Sequence, residues 1–148
     1  MRTKLRGLVI VALLVVAALV PASAFATQNT NFGAVLSGDQ VVPGPGAPDG
    51  SAVAAGTLWP QRPSHVCVGL GSVQGAERPF TAHIHHAPAG QTGPIVSTIE
   101  FVPFGGSSCG DIDKTVLQDI TRNFDQYYLD IHTDEFPDGA MRGQLQPR

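Results

Sequence analysis

The chain has 148 residues, of which 14% are charged, and its formal net charge is −3. This length suits one domain with a single hydrophobic core and is too short for two domains of ordinary size. The acidic balance argues against nucleic acid and anionic membranes as partners, because both recruit clustered lysine and arginine side chains.

Residues 1–26 have the organisation of a cleaved secretory signal peptide. Three basic residues precede an apolar run, residues 7–20, whose length of about 14 residues falls short of the roughly 20 that a bilayer span needs. Ala24 and Ala26 offer the small residues that signal peptidase requires. We expect Sec-type export and a secreted, extracellular domain of residues 27–148 with no membrane span. Its net charge becomes −6, because three of the nine Lys and Arg residues leave and all twelve Asp and Glu residues remain.

Seven segments after the signal peptide are predicted to be β-strands. Each is rich in Val, Ile, Thr or aromatic residues, and clusters of Gly, Pro and Asp separate them at intervals of about ten residues. They are residues 32–37, 51–58, 65–70, 80–85, 95–101, 127–133 and 140–146. The pattern predicts an all-β fold, an antiparallel Greek-key sandwich or barrel of the immunoglobulin-like or superoxide-dismutase-like kind.

One segment departs from the strand pattern and predicts a short helix over residues 114–124. Asp113 can cap its first turn. Its apolar residues recur at helical spacing: Val116, Leu117, Ile120 and Phe124. The helix is expected to close one end of the β fold with its apolar side facing inward.

Cys67 and Cys109 are the two cysteines of the chain, and they are predicted to form a disulfide bond. Export to an oxidising compartment favours pairing. A thiolate metal site is the alternative, and it usually has closer spacing, such as C-x-x-C.

Three segments resemble the chordin-type domain, abbreviated CHRD. They are SGDQVVP, HIHHAPAGQTGPIV and YYLDIHTDEFPDGAMRGQL, and they stand in the family's order. The resemblance covers nearly all of residues 27–148. It implies an extracellular all-β module, known from signalling antagonists of animals and from many secreted bacterial proteins, and it implies no general activity for the bacterial members.

Histidines on two predicted strands form a candidate metal site. Because side chains alternate along a strand, His83 and His85 lie on one face, while His86 points the other way. His132 shares a strand face with Asp130. If the two strands are neighbours, three imidazoles converge, and imidazole is a good ligand for copper or zinc.

The arrangement is similar to the copper site of copper/zinc superoxide dismutases. There an H-x-H strand, a later histidine and a near-terminal G-x-R sequence form the metal site and its anion guide. The resemblance implies His83, His85 and His132 as ligands. It implies Arg142 as an anion guide or as a residue that supports the ligands from behind. It does not extend to the metal-bridging histidine or to the carboxylate of the second metal.

A structural role for the same histidines is the competing interpretation. Ring nitrogens bonded to backbone carbonyls, or to the hydroxyls of Thr81 and Thr133, would fasten the loop APAGQTGP to the sheet. His86 is expected to be solvated or to hold that loop.

Two functions therefore remain open at this point. The first is a secreted, non-catalytic binding or structural module whose partner is an extracellular protein or a cell-envelope component. The second is a copper- or zinc-binding protein, with superoxide dismutation as its furthest extension. The sequence contains no H-E-x-x-H and no phosphate-binding loop, which favours the first.

Overall fold

A computed structural model describes residues 28–76, 81–101 and 106–148. The predicted signal peptide and Phe80, the predicted first residue of a strand, lie outside the described residues. Nine strands and one α-helix are present in the described ranges: β1 Thr30–Ser37, β2 Ser51–Trp59, β3 His65–Gln74, β4 Thr81–His86, β5 Ile95–Glu100, β6 Ser107–Asp111, α1 Lys114–Ile120, β7 Tyr127–His132, β8 Met141–Gln144 and β9 Gln146–Pro147.

The strands form one antiparallel sheet that curls nearly into a barrel. The order across the sheet is β5-β4-β7-β8-β1-β2-β3-β6, and β9 pairs with β1. The two outermost strands, β5 and β6, lie close to each other. The Ser97 hydroxyl on β5 donates a hydrogen bond to the Asp111 carbonyl on β6 at 2.9 Å. The predicted all-β antiparallel fold with one short helix is confirmed, with two strands more than predicted.

The core follows from strand alternation. In β1, Phe32, Ala34 and Leu36 are buried and the residues between them face outward. Strands β2 and β3 begin with the same alternation, and the interior is filled with large apolar side chains from several strands and from α1. Those fully enclosed are Phe32, Leu36, Leu58, Ile84, Ile99, Ile120, Leu129, Ile131, Met141, Leu145, Val66 and Val68.

Helix α1 is shorter than predicted and ends at Ile120 instead of residue 124. Asp113 caps it as expected, accepting a hydrogen bond from the Thr115 amide at 2.7 Å. Leu117 and Ile120 are buried, whereas the chain beyond them turns through a 3₁₀ segment, Phe124–Gln126, in order to enter β7. No helix in the described ranges is long and apolar enough to cross a membrane.

The predicted disulfide bond is confirmed. Cys67 and Cys109 are directly opposite each other on β3 and β6 and are bonded, with their Cα atoms 4.0 Å apart. The bond secures β6, which has no large apolar side chain in its sequence SSCGD.

Replacing both cysteines by alanine should lower the free energy of unfolding by about 4 kcal/mol. The bond closes a loop with a sequence separation of 42, and opening that loop restores chain entropy to the unfolded state. Urea denaturation measures the change, and the wild-type protein in reductant should match the double variant. A variant as stable as the oxidised wild type would contradict this expectation.

Gly110→Ala should destabilise the protein by about 1 to 3 kcal/mol. A Cβ atom at Gly110 would lie 2.0 Å from the Thr98 carbonyl oxygen, so β5 and β6 would have to separate. Gly69 is the matched control on β3, because a Cβ atom there meets nothing closer than 3.9 Å. Urea denaturation of both variants tests the point, and equal effects would contradict it.

Candidate metal centre

A cluster of polar side chains lies on the outward face of β4, β7 and β8. We call it the polar cluster, and it consists of His83, His85, Asp130, His132 and Arg142. The strand register puts His83 opposite Asp130 and Asp130 opposite Arg142, in one row across three strands. The next row joins His85, Tyr128 and Gln144 by the same pairings. The three histidines expected from the sequence are therefore brought together, and Asp130 lies among them.

His132 is held by hydrogen bonds at both ring nitrogens. Its Nδ1 lies 2.9 Å from the Pro137 carbonyl, which can only accept, so this nitrogen carries a proton. Its Nε2 lies 3.2 Å from Asp130 Oδ1 and 2.9 Å from His83 Nδ1. The hydrogen bond to the Asp130 carboxylate raises the pKa of His132, which favours the doubly protonated ring.

Asp130 stays ionised at this site. Burial is the largest single influence on it and acts to raise its pKa. The hydrogen bond from His132, and the charge that His132 and His85 carry when protonated, act the other way and bring the pKa of Asp130 well below its usual range. The site therefore holds a fixed negative charge.

One ring nitrogen of His85, Nε2, is buried beside Asp130. Its Nδ1 lies 2.8 Å from the Gly93 carbonyl and must donate to it, which leaves the lone pair of a neutral ring at Nε2. This Nε2 is buried and makes no hydrogen bond with any described residue, although Asp130 Oδ2 lies 3.2 Å away. In a neutral ring this lone pair faces a carboxylate oxygen, so the contact is attractive only when a proton or another cation stands between the two atoms.

His83 completes a set of three donors. Burial lowers the pKa of His83 and favours its neutral form, whose single lone pair at Nδ1 accepts from the protonated His132 at 2.9 Å unless a metal ion takes that place. One donor atom each from His83, His85 and Asp130 can be chosen so that all three lie within 4.8 Å of one another. Two imidazoles and one carboxylate are a donor set that zinc and copper accept.

Arg142 and Tyr128 support His85 from behind. The Tyr128 ring stacks on His85 with centroids 4.6 Å apart and planes 6° from parallel. The Arg142 guanidinium carbon lies 3.4 Å from the Tyr128 centroid, on the ring face, and its Nη2 donates to the Pro88 carbonyl at 3.1 Å. With 3% of its surface exposed, Arg142 is a buried component of the site.

The family model of the CHRD domain matches residues 32–145, from Phe32 in β1 to Leu145 just after β8. The chain belongs to the CHRD domain family. Comparisons with curated proteins and with solved structures give no significant match. The three segments that resembled CHRD in the sequence thus lie in a chain that is a member of the family.

Two of the three CHRD segments meet at the cluster. The HIHHAPAGQTGPIV segment contributes His83, His85 and the Gly93 carbonyl, and the C-terminal segment contributes Asp130 and His132. His86 points away, as expected, and its exposed ring stacks on Tyr127 with centroids 4.6 Å apart.

Asp130→Asn should destabilise the metal-free protein by about 2 to 3 kcal/mol, because the neutral amide loses the charged hydrogen bond with His132. The contribution of His132, whose folded pKa is raised, is present below about pH 6.5 and is lost as the pH rises through that folded pKa. The contribution of Asp130, whose folded pKa is lowered, is present above about pH 4 and is lost as the pH falls.

The difference between wild type and Asp130→Asn should therefore be greatest between about pH 4 and 6.5. Urea denaturation with a chelator present, repeated across this range, measures it. Asp134→Asn is the control, since Asp134 is exposed on the neighbouring turn. A difference that does not change with pH would contradict the assignment of charges.

Proposed function

We propose that this CHRD domain is a secreted, non-catalytic extracellular binding module that carries a copper or zinc ion at His83, His85 and Asp130. The observation that carries the proposal is the buried Nε2 of His85, which has no hydrogen bond within the part of the chain that the structure describes and faces Asp130 Oδ2 at 3.2 Å. A cation between these two atoms would turn a repulsive contact into two attractive ones.

The distance between the two atoms suits a metal ion. Zinc binds imidazole nitrogen and carboxylate oxygen at about 2.0 to 2.2 Å, and tetrahedral coordination then separates two such ligands by about 3.3 Å. The observed separation of 3.2 Å needs almost no adjustment. The Nδ1 of His85 already donates to the Gly93 carbonyl, which is the outer partner that metal-bound histidines commonly have.

Asp130 has two roles in this proposal: one oxygen binds the metal ion and the other accepts a hydrogen bond from His132. Its Oδ2 faces the metal position, while its Oδ1 accepts from His132 at 3.2 Å. In this proposal His132 orients the ligand carboxylate, although the strand pattern alone suggested it as a third imidazole ligand. Divalent copper should bind more tightly than zinc, because that order holds for most nitrogen and oxygen sites.

The contacts of Arg142 favour a supporting role over that of an anion guide. Its guanidinium packs on Tyr128 and binds the Pro88 carbonyl, so it holds the loop and the ring that lie behind His85. An anion guide needs a charge that faces solvent near the open side of the metal. The geometry thus supports metal binding more than superoxide dismutation.

Secretion is part of the same proposal. Residues 1–26 have the features of a signal peptide, and the disulfide bond fits an oxidising compartment. The partner of the module is then an extracellular protein or a cell-envelope component, and the bound ion stabilises the face formed by β4, β7 and β8.

Calorimetric titration of the protein with Cu(II), and separately with Zn(II), should give one site per chain. His85→Ala should weaken binding by at least about a hundredfold, because loss of an outer partner alone costs tenfold to a hundredfold. His86→Ala is the matched control, since His86 is the next residue of β4 and faces away from the cluster. Absence of stoichiometric binding, or equal loss in both variants, would overturn the proposal.

A further inference from the structure

The disulfide bond between Cys67 and Cys109 lies on the outer surface of the sheet. Partners on neighbouring strands project to the same side, so Cys67 on β3 shares its outward face with Thr57 on β2 and with Cys109 on β6. Cys109 is exposed and Cys67 is half-buried. The bond is therefore open to attack by other thiols, unlike a disulfide enclosed in a hydrophobic core.

A groove of about 580 Å³ opens beside Cys67, a volume typical of small-molecule sites. Cys67 lines this groove together with Thr57 and Trp59 of β2 and Ser107 of β6, whereas Cys109 lies outside it. Of the two cysteines, Cys67 is thus the one that a molecule in the groove would meet.

The groove also gives access to the bond from the required direction. A thiolate that attacks a disulfide approaches one sulfur from the side opposite the other, and the second sulfur leaves. The bond joins β3 to β6, so the side of Cys67 opposite Cys109 faces β2. There Thr57 is the direct partner of Cys67 and also lines the groove. A small thiol in the groove can therefore reach Cys67 in line with the bond.

Nearby charges favour attack at Cys67 over attack at Cys109. The reacting form of a thiol is the thiolate anion. Arg148, a cationic residue, lines the groove next to Cys67 and attracts an anion there. Asp111 follows Cys109 by two residues on β6 and lies on the same exposed face, so its carboxylate repels an anion that approaches Cys109.

We propose that this groove is a reversible covalent site for a small thiol. The thiol loses its proton to water, and its sulfur forms a bond to Cys67 Sγ. The bond between the two cysteine sulfurs breaks at the same time, and its electron pair leaves with Cys109, which takes up a proton. One disulfide replaces another, so the step consumes no separate oxidant or reductant.

Hydrogen bonds keep Cys109 close to Cys67 after the bond opens. Residues 107–111 remain paired with β3, and just beyond them Ser64 and Ile112 exchange two hydrogen bonds, of 2.7 and 3.3 Å. This edge of the sheet is less stable without the covalent bond, but its strands stay in register. The Cys109 thiolate can therefore attack the mixed disulfide, expel the small thiol and restore the original bond.

Mass spectrometry of the folded, metal-free protein, with a chelator present, tests the proposal. The probe is 2-mercaptoethanol, and iodoacetamide stops the reaction at early times by alkylating free thiols. The expected product carries mercaptoethanol on Cys67 and the alkyl group on Cys109. Its rate of formation should rise in proportion to the thiol concentration. If the thiol is removed before alkylation, the mass should return to that of the disulfide-bonded protein.

Substitutions at the groove test its part in the reaction. Thr57→Phe should slow the reaction at least about tenfold, because the ring covers the approach to Cys67. Ser51→Phe is the matched control, since Ser51 is exposed on the same face of β2 and lies outside the groove. Arg148→Gln should slow the reaction severalfold, because an attracting charge is lost. Arg122→Gln is its control, since it makes the same change of charge at an exposed residue after α1. Thermal melts confirm that each variant folds.

An adduct on Cys67 of the folded protein, slowed by Thr57→Phe and not by Ser51→Phe, supports the proposal. A bond that exchanges only in urea overturns it, and so does an adduct found mainly on Cys109. A rate that levels off with thiol concentration also overturns it, because the chain would then have to unfold before it reacts. Equal slowing by the two substitutions on β2 would have the same meaning. None of these results depends on the metal site.

Discussion

The carboxylate of Asp130 is the group on which the cluster depends. Three imidazoles lie around it. The centroid of the His83 ring is 4.6 Å from that of His132 and 5.7 Å from that of His85. Its two oxygens act differently, since Oδ1 accepts a hydrogen bond from His132 and Oδ2 faces Nε2 of His85. The negative charge of Asp130 stabilises the doubly protonated His132. It would also attract a cation placed between Asp130 Oδ2 and His85 Nε2.

Loops determine which nitrogen of each histidine is available. The Gly93 carbonyl holds Nδ1 of His85, and the Pro137 carbonyl holds Nδ1 of His132. The first of these loops is itself held by β8, where Arg142 donates to Pro88 and Gln144 donates to Ala87. The sheet sets the distances between side chains, and the loop carbonyls determine that Nδ1 of each of these two rings carries a proton. The two interpretations of the histidines are therefore compatible, because the same ring can fasten a loop with one nitrogen and bind an ion with the other.

Strand alternation was enough to predict that His83 and His85 share a face and that His86 does not. It could not predict the register between β4 and β7, which puts Asp130 opposite His83 and makes the carboxylate a ligand candidate. That register depends on contacts distant in sequence. Strand β6 was missed because SSCGD has none of the branched or aromatic residues that indicate a strand, and its pairing depends on Cys67. The helix was predicted too long because helical spacing continues to Phe124 after the backbone has already turned.

The disulfide bond also has a consequence for when the domain becomes complete. Strand β6 buries little apolar surface of its own, so its attachment to β3 relies on a covalent bond that forms only where thiols are oxidised. A chain that is still in a reducing compartment has no such attachment at that edge. The covalent closure of this edge therefore depends on an oxidising environment, and a chain with reduced thiols should be easier to unfold.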